Sequence, residues 1–361
     1  MPEPTSSLGN RKREDALQQG ARKKHIRSDP LVHRGRHFGR TVFAFCNVKS
    51  LISNGLIRMA ELTSATAPGE EPSVELLSVK ERREERIFRT LLKMCPGLER
   101  RIFYSASDKE VGLVSDLIQK GVNAARADDT KGMKGVIIDW ITPPDGVLLP
   151  PLSRRHKVDR GFKHEKTGAL LCPAGLSWQD PIIKEKLRSG EMRVRGDNWP
   201  IFFYANYKCD INANPWDGLL KSQILVNAYK HVFTSPSSVD DDEPKAASKS
   251  GNARIHGMTE VTLASLAYIA TQVHFALSSA NSFSRTDMVT DSERFYNSLL
   301  DLLEDSRERP VVHQLLAWWN RKIFPHTSPE SVLAPVEGSI LERIRRFNAE
   351  QDAQAAHSGS V

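Results

Sequence analysis

The feature that most constrains this 361-residue chain is a stretch of 24 residues, 261–284, without a single Asp, Glu, Lys or Arg. Its length could span a bilayer, but polar side chains recur along it and each would be costly in hydrocarbon. These side chains belong to Thr262, Ser265, Thr271, Gln272, His274, Ser278, Ser279, Asn281 and Ser282. The many alanines between them favour close helix packing. We therefore expect a buried helix at the centre of a soluble protein, and no membrane span.

Apolar residues at helical spacing on both sides of this stretch predict a mainly α fold. Three capping boxes, in which a Ser or Thr side chain and a Glu three residues later satisfy free backbone N–H groups, predict helix starts at Ser78, Ser107 and Thr290. Other starts are predicted at His37, Asn214, Thr259 and Pro310, and helix ends at Gly121 and Pro325. The last two long helices, separated only by residues 305–309, should form an antiparallel αα-hairpin.

The composition changes along the chain and predicts three regions. Residues 1–33 lack hydrophobic periodicity and are expected to form a disordered basic leader. Residues 34–325 are expected to form a single domain that is helical over 37–141, irregular over 142–214 and helical over 215–325, with an exposed acidic loop at 235–250. Residues 326–361 should form a short helix and a flexible tail.

The irregular middle, counted through Pro215, holds eight of the twenty prolines. It should contain one short helix near 181–188 and a short strand at 201–204. The predicted fold class is thus an irregular multi-helix bundle with a Pro-rich, largely non-helical middle segment.

The formal charge of +7 is concentrated at the N-terminus, because residues 1–40 carry +6 and the other 321 residues only +1. The two clusters Arg11, Lys12, Arg13 and Arg22, Lys23, Lys24 resemble a bipartite nuclear import signal, although a solubilising tail and a nucleic-acid arm are alternatives. Four scattered cysteines suit a reducing compartment, and no signal peptide is expected, because the first residues lack an apolar stretch. A nuclear or cytoplasmic protein is expected, not a secreted one.

Two internal segments carry candidate anion contacts. Residues 153–166 have a net charge of +4 and include Arg154, Arg155, Lys157, Arg160 and Lys163. They could contact nucleic acid, cover acidic helices of this chain or of a partner, or simply be solvated. The glycine-bounded segment 251–257 presents Arg254 and His256, either as an anion site or as a structural turn.

Signals for catalysis are weak. Phosphate-binding loops are absent from the sequence, and no cofactor is expected. Cys172 could act as a nucleophile with His156, His164 or His256 as base, but a buried, inert thiol is the alternative. Two loose sets of metal-ligand types, His33, His37, Cys46 and His156, His164, Cys172, lack the paired spacing of zinc sites, so no metal is expected. Ser235 and Ser238 are candidate phosphorylation sites in the acidic loop.

Six short strings give the chain a family resemblance. They are GRHFGRT at 35–41, LIQKG at 117–121, WPIF at 199–202, FTSPSS at 233–238, RIHGM at 254–258 and AWWN at 317–320. The chain resembles, over residues 34–324, a domain family of unknown function found mainly in mushroom-forming fungi, often in many copies per genome. The resemblance implies a shared fold and a fungal origin, and it supplies no activity and no functional residues.

The leading hypothesis is a non-enzymatic helical protein that acts through protein contacts, with the nucleus as the expected location. One alternative is an enzyme, for example a hydrolase, with its site within residues 142–258. The other is nucleic-acid binding through the basic leader and the 153–166 segment. The sequence leaves the oligomeric state open.

Overall fold

The computed structural model of the chain describes residues 29–65, 77–104, 108–236, 239, 251–280, 292–325, 339, 340, 342–344 and 346–348. Within them the chain is mainly α-helical and contains no β-strand, only an isolated bridge between Pro173 and Pro200. The predicted fold class is confirmed. The helices are α1 (Pro30–Thr41), α2 (Val48–Ala65), α3 (Val79–Met94), α4 (Leu98–Tyr104), α5 (Asp108–Ile141), α6 (Glu165–Leu171), α7 (Pro181–Ser189), α8 (Gln223–Tyr229), α9 (Asn252–His256), α10 (Leu263–Leu277), α11 (Ser292–Glu304) and α12 (Arg309–Ile323).

Helix α10 is the predicted uncharged helix, and it is buried on every side. All residues from Ala264 to Leu277 are buried. The cap is Thr262, whose side chain accepts a hydrogen bond from the Ser265 amide at 3.1 Å, so the expected start at Thr259 is wrong by three residues. Among the described helices, none combines the length and the apolar character needed to cross a membrane.

Helix α5 runs for 34 residues, and Gly121 does not end it as predicted. The glycine instead lets α1 approach closely. A β-carbon at Gly121 would lie 2.2 Å from the carbonyl oxygen of Val32, and one at Gly35 would lie 2.2 Å from that of Ile118. The backbones of α1 and α5 are therefore in contact at Gly35 and Gly121, and a larger side chain at either position would clash.

Two other helix starts differ from the prediction. Helix α1 begins at Pro30, because the Asp29 side chain accepts from the Leu31 amide at 2.8 Å and proline suits the first turn. Residues 30–33 thus belong to the helix and not to the leader. Asn214 starts a turn instead of a helix, since its side chain accepts from the Trp216 amide, and α8 begins only at Gln223.

The middle segment is largely non-helical, with α7 close to the predicted position and α6 as an additional short helix. The predicted strand at 201–204 is wrong. Residues Ile201–Phe203 form a 3-10 turn in which Phe202 and Phe203 are both fully buried. A strand would place two consecutive side chains on opposite faces, whereas here both enter the core.

The apolar side chains form two main clusters. The smaller joins α1–α4 to the first half of α5, around Phe38, Phe88 and Ile118. The larger joins the second half of α5 to α8, α10, α11 and α12, around Tyr229, Phe295 and Trp319. The cleft described below opens where these two clusters meet.

The C-terminal helices agree with the prediction. Helices α11 and α12 are joined by residues 305–308, which include a 3-10 turn, and they pack against each other within the larger cluster. Helical residues also occur at 340, 342–344 and 346–348, where a short terminal helix was expected.

Candidate functional site

A cleft of about 650 Å³ lies between α1, α3, α10, α11 and α12. Its apolar floor is formed by Val42, Ile87, Leu263, Leu303, Val312 and Leu316. Its rim carries Arg86, Glu260, Glu304, Asp305, Arg309 and His313, and at one edge His37. We call this the α1–α12 cleft. An apolar floor inside a polar rim is typical of binding sites.

The α3–α11 wall of the cleft is held by ion pairs. Arg83 bonds Asp301 and Glu304 at 2.6 and 2.8 Å, and Arg86 bonds Glu304 at 2.5 Å. These pairs connect residues more than 200 positions apart in the sequence. They fix the distance between the helices that form this wall.

One residue of the cleft lining, His37, belongs to a stacked pair of histidine rings. His37 of α1 and His256 of α9 lie parallel, with ring centroids 4.4 Å apart and an angle of 7° between the planes. Burial lowers the pKa of His37 to about 4, with further lowering by His256, Arg40 and Arg34. Burial also lowers the pKa of His256 to about 4, and Arg40 and Arg34 add to the effect. Both imidazoles are therefore neutral at pH 7.

Helix α9, which carries His256, was predicted as a turn and is instead a short helix. It ends at Gly257, whose φ of 65° allows the reversal toward α10. The side chain of Asn252 donates to the Val232 carbonyl at 2.5 Å and accepts from Arg40 at 3.4 Å. These bonds attach α9 to α1 and to residues 230–234, the helical turn that follows α8.

Beneath the histidines lies a buried ion pair. Arg40 bonds both carboxylate oxygens of Asp129 at 2.7 Å, and the Tyr268 hydroxyl donates to Asp129 at 2.6 Å. Burial alone would lower the pKa of Arg40, but the hydrogen bonds and the charge of Asp129 outweigh it, and the pKa lies above its ordinary value. The cluster joins α1, α5 and α10 and is neutral overall.

The cations above this pair differ in their partners. Arg36 bonds Asp128 at 2.8 Å. Arg34 and Arg254 are exposed, and neither forms an ion pair with any residue that the structure describes. Of the predicted anion contacts, His256 thus lies near Arg34, Arg36 and Arg40 of α1, which the sequence did not connect with it.

Two basic residues of the 153–166 segment make internal contacts, although both were candidate nucleic-acid contacts. Lys157 and Arg160 are only 2% and 1% exposed. The Lys157 amine donates to the Phe275 carbonyl at 2.6 Å, and Arg160 donates to the Ala276 carbonyl at 2.6 Å. The two cations thereby satisfy carbonyl groups at the C-terminal end of α10, where the helix dipole favours positive charge. They are not available to a nucleic acid.

The other members of that segment lie at the surface. Arg154 is paired with Asp139, whereas Arg155 and Lys163 are exposed. His156 is exposed as well, 3.8 Å from Asp159. The described part of the segment therefore presents fewer cations than its sequence suggested.

The catalytic arrangement considered for Cys172 is not assembled. Cys172 is buried, its thiol donates to the Leu176 carbonyl at 3.7 Å, and burial raises its pKa to about 11. His164 is also buried and caps α6 by accepting from the Lys166 amide. The ring of His256 stacks on His37, so the structure brings none of these three residues together as nucleophile and base.

A second cavity, of about 520 Å³, lies beside Cys172 in the middle segment. It is also lined by Cys209, Trp178 and Tyr207. Tyr207 has a φ of 57°, which is strained for a residue with a side chain. Burial raises the pKa of Tyr207, so the phenol is protonated at pH 7.

The remaining candidates are the two sets of metal-ligand types, the two phosphorylation sites and the basic clusters of the leader. Among the described residues, no three His, Cys, Asp or Glu side chains come together as a metal site. Ser235 is 8% exposed, which contradicts its place in an exposed loop and leaves its hydroxyl poorly accessible to a kinase. Ser238 and the basic clusters at 11–13 and 22–24 lie outside the described residues.

The comparisons with known proteins bear on the larger part of this fold. A family model described as a family of unknown function (DUF6698) matches residues 120–324. The chain belongs to this family. The DUF6698 match runs from within α5 to the end of α12, so it includes α9 and α10 and leaves out α1, which supplies His37. Comparison with curated proteins and with solved structures finds no match. Membership in a family of unknown function is confirmed, whereas the fungal origin and the many copies stay predictions.

Proposed function

We propose that this DUF6698 protein is a non-enzymatic helical protein that binds partner proteins in the α1–α12 cleft. The cleft itself carries this proposal, because it combines an apolar floor with a rim of both charges. Such a surface can bury apolar side chains of a polypeptide while the rim pairs with polar groups around them.

A second observation supports protein contacts. The terminal helical segment exposes Ile340, Ile344 and Phe347 by 78%, 51% and 59%. Their spacing of four and three residues places them on one face of a helix. Apolar side chains grouped in this way are typical of helices that dock against another protein.

The proposal is tested by co-purification with the full chain and two variants. Met258→Glu places a charge on the cleft lining, and Ile182→Glu places the same charge on α7, where Ile182 is exposed and outside the cleft. Proteins that wild type and Ile182→Glu retain should be lost from Met258→Glu by at least tenfold, as measured by quantitative mass spectrometry. Equal retention by both variants would refute binding in the cleft.

The location of this binding is proposed to be the nucleus. Support comes from the two basic clusters of the leader, which have nearly the spacing of a bipartite import signal. Fusion of the full chain to a fluorescent protein tests this proposal directly.

Nucleic-acid binding is a second candidate function, and it rests on the leader. Residues 1–28 hold seven Lys and Arg against three acids and directly precede α1, whose Arg34 is exposed. Basic residues near a chain end can bind phosphates without sequence specificity, and such binding weakens steeply with salt. The burial of Lys157 and Arg160 removes support for a second contact at 153–166.

A further inference from the structure

We infer that the cavity beside Cys172 is a second binding site, whose ligand is a small organic acid with an apolar body. We call it the middle cavity. Its lining residues are Lys166, Ala169, Leu170, Cys172, Gly175, Leu176, Ser177, Trp178, Gln179, Ile201, Tyr207, Lys208 and Cys209. None of these described residues also lines the α1–α12 cleft, so this site is separate from the proposed protein-binding site and either can fail without the other.

The middle cavity carries positive charge that its lining does not neutralise. Lys166 and Lys208 line it, and none of the described lining residues is Asp or Glu. Neither lysine forms an ion pair with any residue that the structure describes. The nearby Asp210 accepts instead from the amides of Asn212 and Ala213. Two unpaired ammonium groups at one cavity favour an anionic ligand.

The carboxylate that precedes Lys166 is already occupied by other donors. Glu165 accepts from the Lys184 amine at 2.6 Å and from the Trp178 indole at 2.9 Å, both at Oε1. Its Oε2 accepts from Arg188 at 2.8 Å. The hydrogen bond from Lys184 is the main reason that the pKa of Glu165 lies below its ordinary value. Glu165 thus balances cations outside the middle cavity, and Lys166 keeps its charge for a ligand.

The hydroxyl of Tyr207 adds a neutral donor to the same cavity. Tyr207 is half-buried, and the Lys166 amine lies 6.0 Å from the centroid of its ring. The hydroxyl forms no hydrogen bond with a described residue, and burial raises its pKa, so it stays protonated and can donate. With the two lysines, the cavity offers three donor groups, and the oxygens of a carboxylate can accept from all of them.

The backbone holds the Tyr207 ring at this place against its own conformational preference. Asn206 and Tyr207 have φ values of 54° and 57°, in the left-handed region that residues with side chains disfavour. The Tyr207 amide donates to the Tyr204 carbonyl at 3.0 Å, and the Ala205 amide donates to the Gly218 carbonyl at 2.8 Å. Strained backbone persists where the surrounding structure enforces it, and it is frequent at ligand sites.

Apolar side chains form most of the remaining wall and accommodate the body of the ligand. The apolar surface continues into an adjoining cavity of about 230 Å³, which shares Lys166, Ala169, Trp178 and Gln179 with the middle cavity and adds Val147 and Leu149. Val147 and Leu149 are 73% and 74% exposed. Apolar walls with a few polar groups at one place are typical of small-molecule sites.

This lining favours a small organic acid over an inorganic anion or a polypeptide. An inorganic anion would leave the apolar walls uncovered. The rim of the α1–α12 cleft carries both charges, as suits a polypeptide, whereas the described lining of the middle cavity carries cations only. Its volume of about 520 Å³ lies within the usual range of small-molecule sites.

The first experiment titrates the full chain with octanoate and with octanamide, which has the same apolar chain without the charge. We expect octanoate to bind at least tenfold more tightly than octanamide, and at least tenfold more tightly than butyrate, because it buries more CH₂ groups. NMR should show shifts of the Leu176 and Ile201 methyl signals but not of the Met258 methyl signal. Equal affinity for octanoate and octanamide, or shifts confined to Met258, would overturn the proposal.

The second experiment repeats the octanoate titration with single variants of the full chain. Lys166→Met, Lys208→Met and Tyr207→Phe should each weaken octanoate binding about tenfold and leave octanamide binding within twofold of wild type. Lys208 is exposed, so its replacement does not disturb the core. Lys163→Met is the matched control, because Lys163 is exposed and lines neither of the two cavities. If Lys163→Met weakens octanoate binding as much as Lys208→Met does, the effect is one of general charge and the proposed site is wrong.

A third measurement separates this site from the proposed function. Met258→Glu alters the α1–α12 cleft and should bind octanoate within twofold of wild type, whether or not it retains partner proteins. Loss of octanoate binding in this variant would place the ligand in the cleft and overturn the proposal. Hexaglutamate is the probe for an acidic polypeptide, and binding of hexaglutamate more tightly than octanoate would overturn the small organic acid as ligand.

Discussion

At the scale of single residues, the polar groups beneath and beside the cleft determine how the site is held. In the interior, Arg40 and Tyr268 both donate hydrogen bonds to the carboxylate of Asp129. A charged group is stable in the interior only when it has such partners. This cluster could not be predicted from the sequence, because Arg40 and Asp129 are 89 residues apart and each looks like an ordinary surface charge. Only the packing of α1 on α5 makes them partners.

Loss of the Arg40 guanidinium should destabilise the fold strongly. Arg40→Met leaves Asp129 buried with an unpaired charge, and we expect the free energy of unfolding to fall by about 3–5 kcal/mol. Arg36→Met removes a similar pair with Asp128 at the surface and should cost less than about 1 kcal/mol. Urea unfolding followed by circular dichroism measures both. A cost for Arg40→Met as small as that for Arg36→Met would contradict the role assigned to the buried pair.

Lys157 should make stability depend on pH on the alkaline side. Burial lowers its pKa from 10.5 to about 7, with Arg160 and Lys134 adding to the effect. The unfolded chain therefore binds more protons than the folded chain between pH 7 and pH 10, and the free energy of unfolding should rise over this range. We expect a rise of at least ~2 kcal/mol between pH 7 and pH 9.5, since each pKa unit corresponds to ~1.4 kcal/mol.

Two lysine variants isolate this dependence. Lys157→Met should remove the rise, while Ser278 still donates to the Phe275 carbonyl at 2.9 Å and keeps that oxygen satisfied. Lys163→Met, at an exposed position of the same segment, should preserve the rise. Denaturant unfolding of the three proteins across this pH range is the measurement, and parallel pH profiles for all three would show that Lys157 is not the source.

At the scale of secondary-structure elements, local signals were reliable where their partners lay within a few residues. The capping box at Ser78 and Glu81 predicted the start of α3, and both of its hydrogen bonds are present. Gly121 was misinterpreted because its reason is the backbone of α1, more than 80 residues earlier. A helical pattern on one segment contains no information about how closely another helix approaches it.

The contact between α1 and α5 gives a matched pair of glycine substitutions within one helix. Gly121→Ala places a β-carbon against the Val32 carbonyl and should destabilise the protein by about 1–3 kcal/mol, because the helices must separate. Gly112→Ala lies on the same helix, where a β-carbon would meet nothing within 4 Å. It should stabilise the protein by up to about 1 kcal/mol through helix propensity. Thermal unfolding of both variants distinguishes them, and shifts of the same sign would refute the close approach of α1.

At the scale of the whole molecule, the candidate site is assembled from segments that the sequence could not connect. His37 and His256 are more than 200 residues apart and meet because α9 is attached to α1 through Asn252 and Arg40. The sequence singled out Arg254 and His256 by their glycine-bounded segment, and it also singled out Lys157 and Arg160, which the fold buries. A charged residue in the sequence indicates an electrostatic contact, but the sequence does not show where the partner lies. The packing of the helices decides whether the partner belongs to this chain or to another molecule.

The concentration of positive charge in the leader leads to a prediction for the full chain. Replacing Arg11, Lys12, Arg13, Arg22, Lys23 and Lys24 by Gln lowers the net charge from +7 to +1 without touching the described domain. We expect nuclear accumulation of a fluorescent fusion to fall severalfold, and salt-sensitive retention on DNA to be lost, because phosphate contacts scale with the number of basic residues. The free energy of unfolding should stay unchanged, since it depends on the core.

The control for this prediction is the double variant Arg155→Gln and Lys163→Gln, which removes two exposed charges from the folded domain. It should preserve both nuclear accumulation and DNA retention. If the double variant loses DNA retention while the leader variant keeps it, the domain surface and not the leader attracts nucleic acid. That result would require a basic surface other than Lys157 and Arg160, because those two side chains already serve the carbonyl groups at the end of α10.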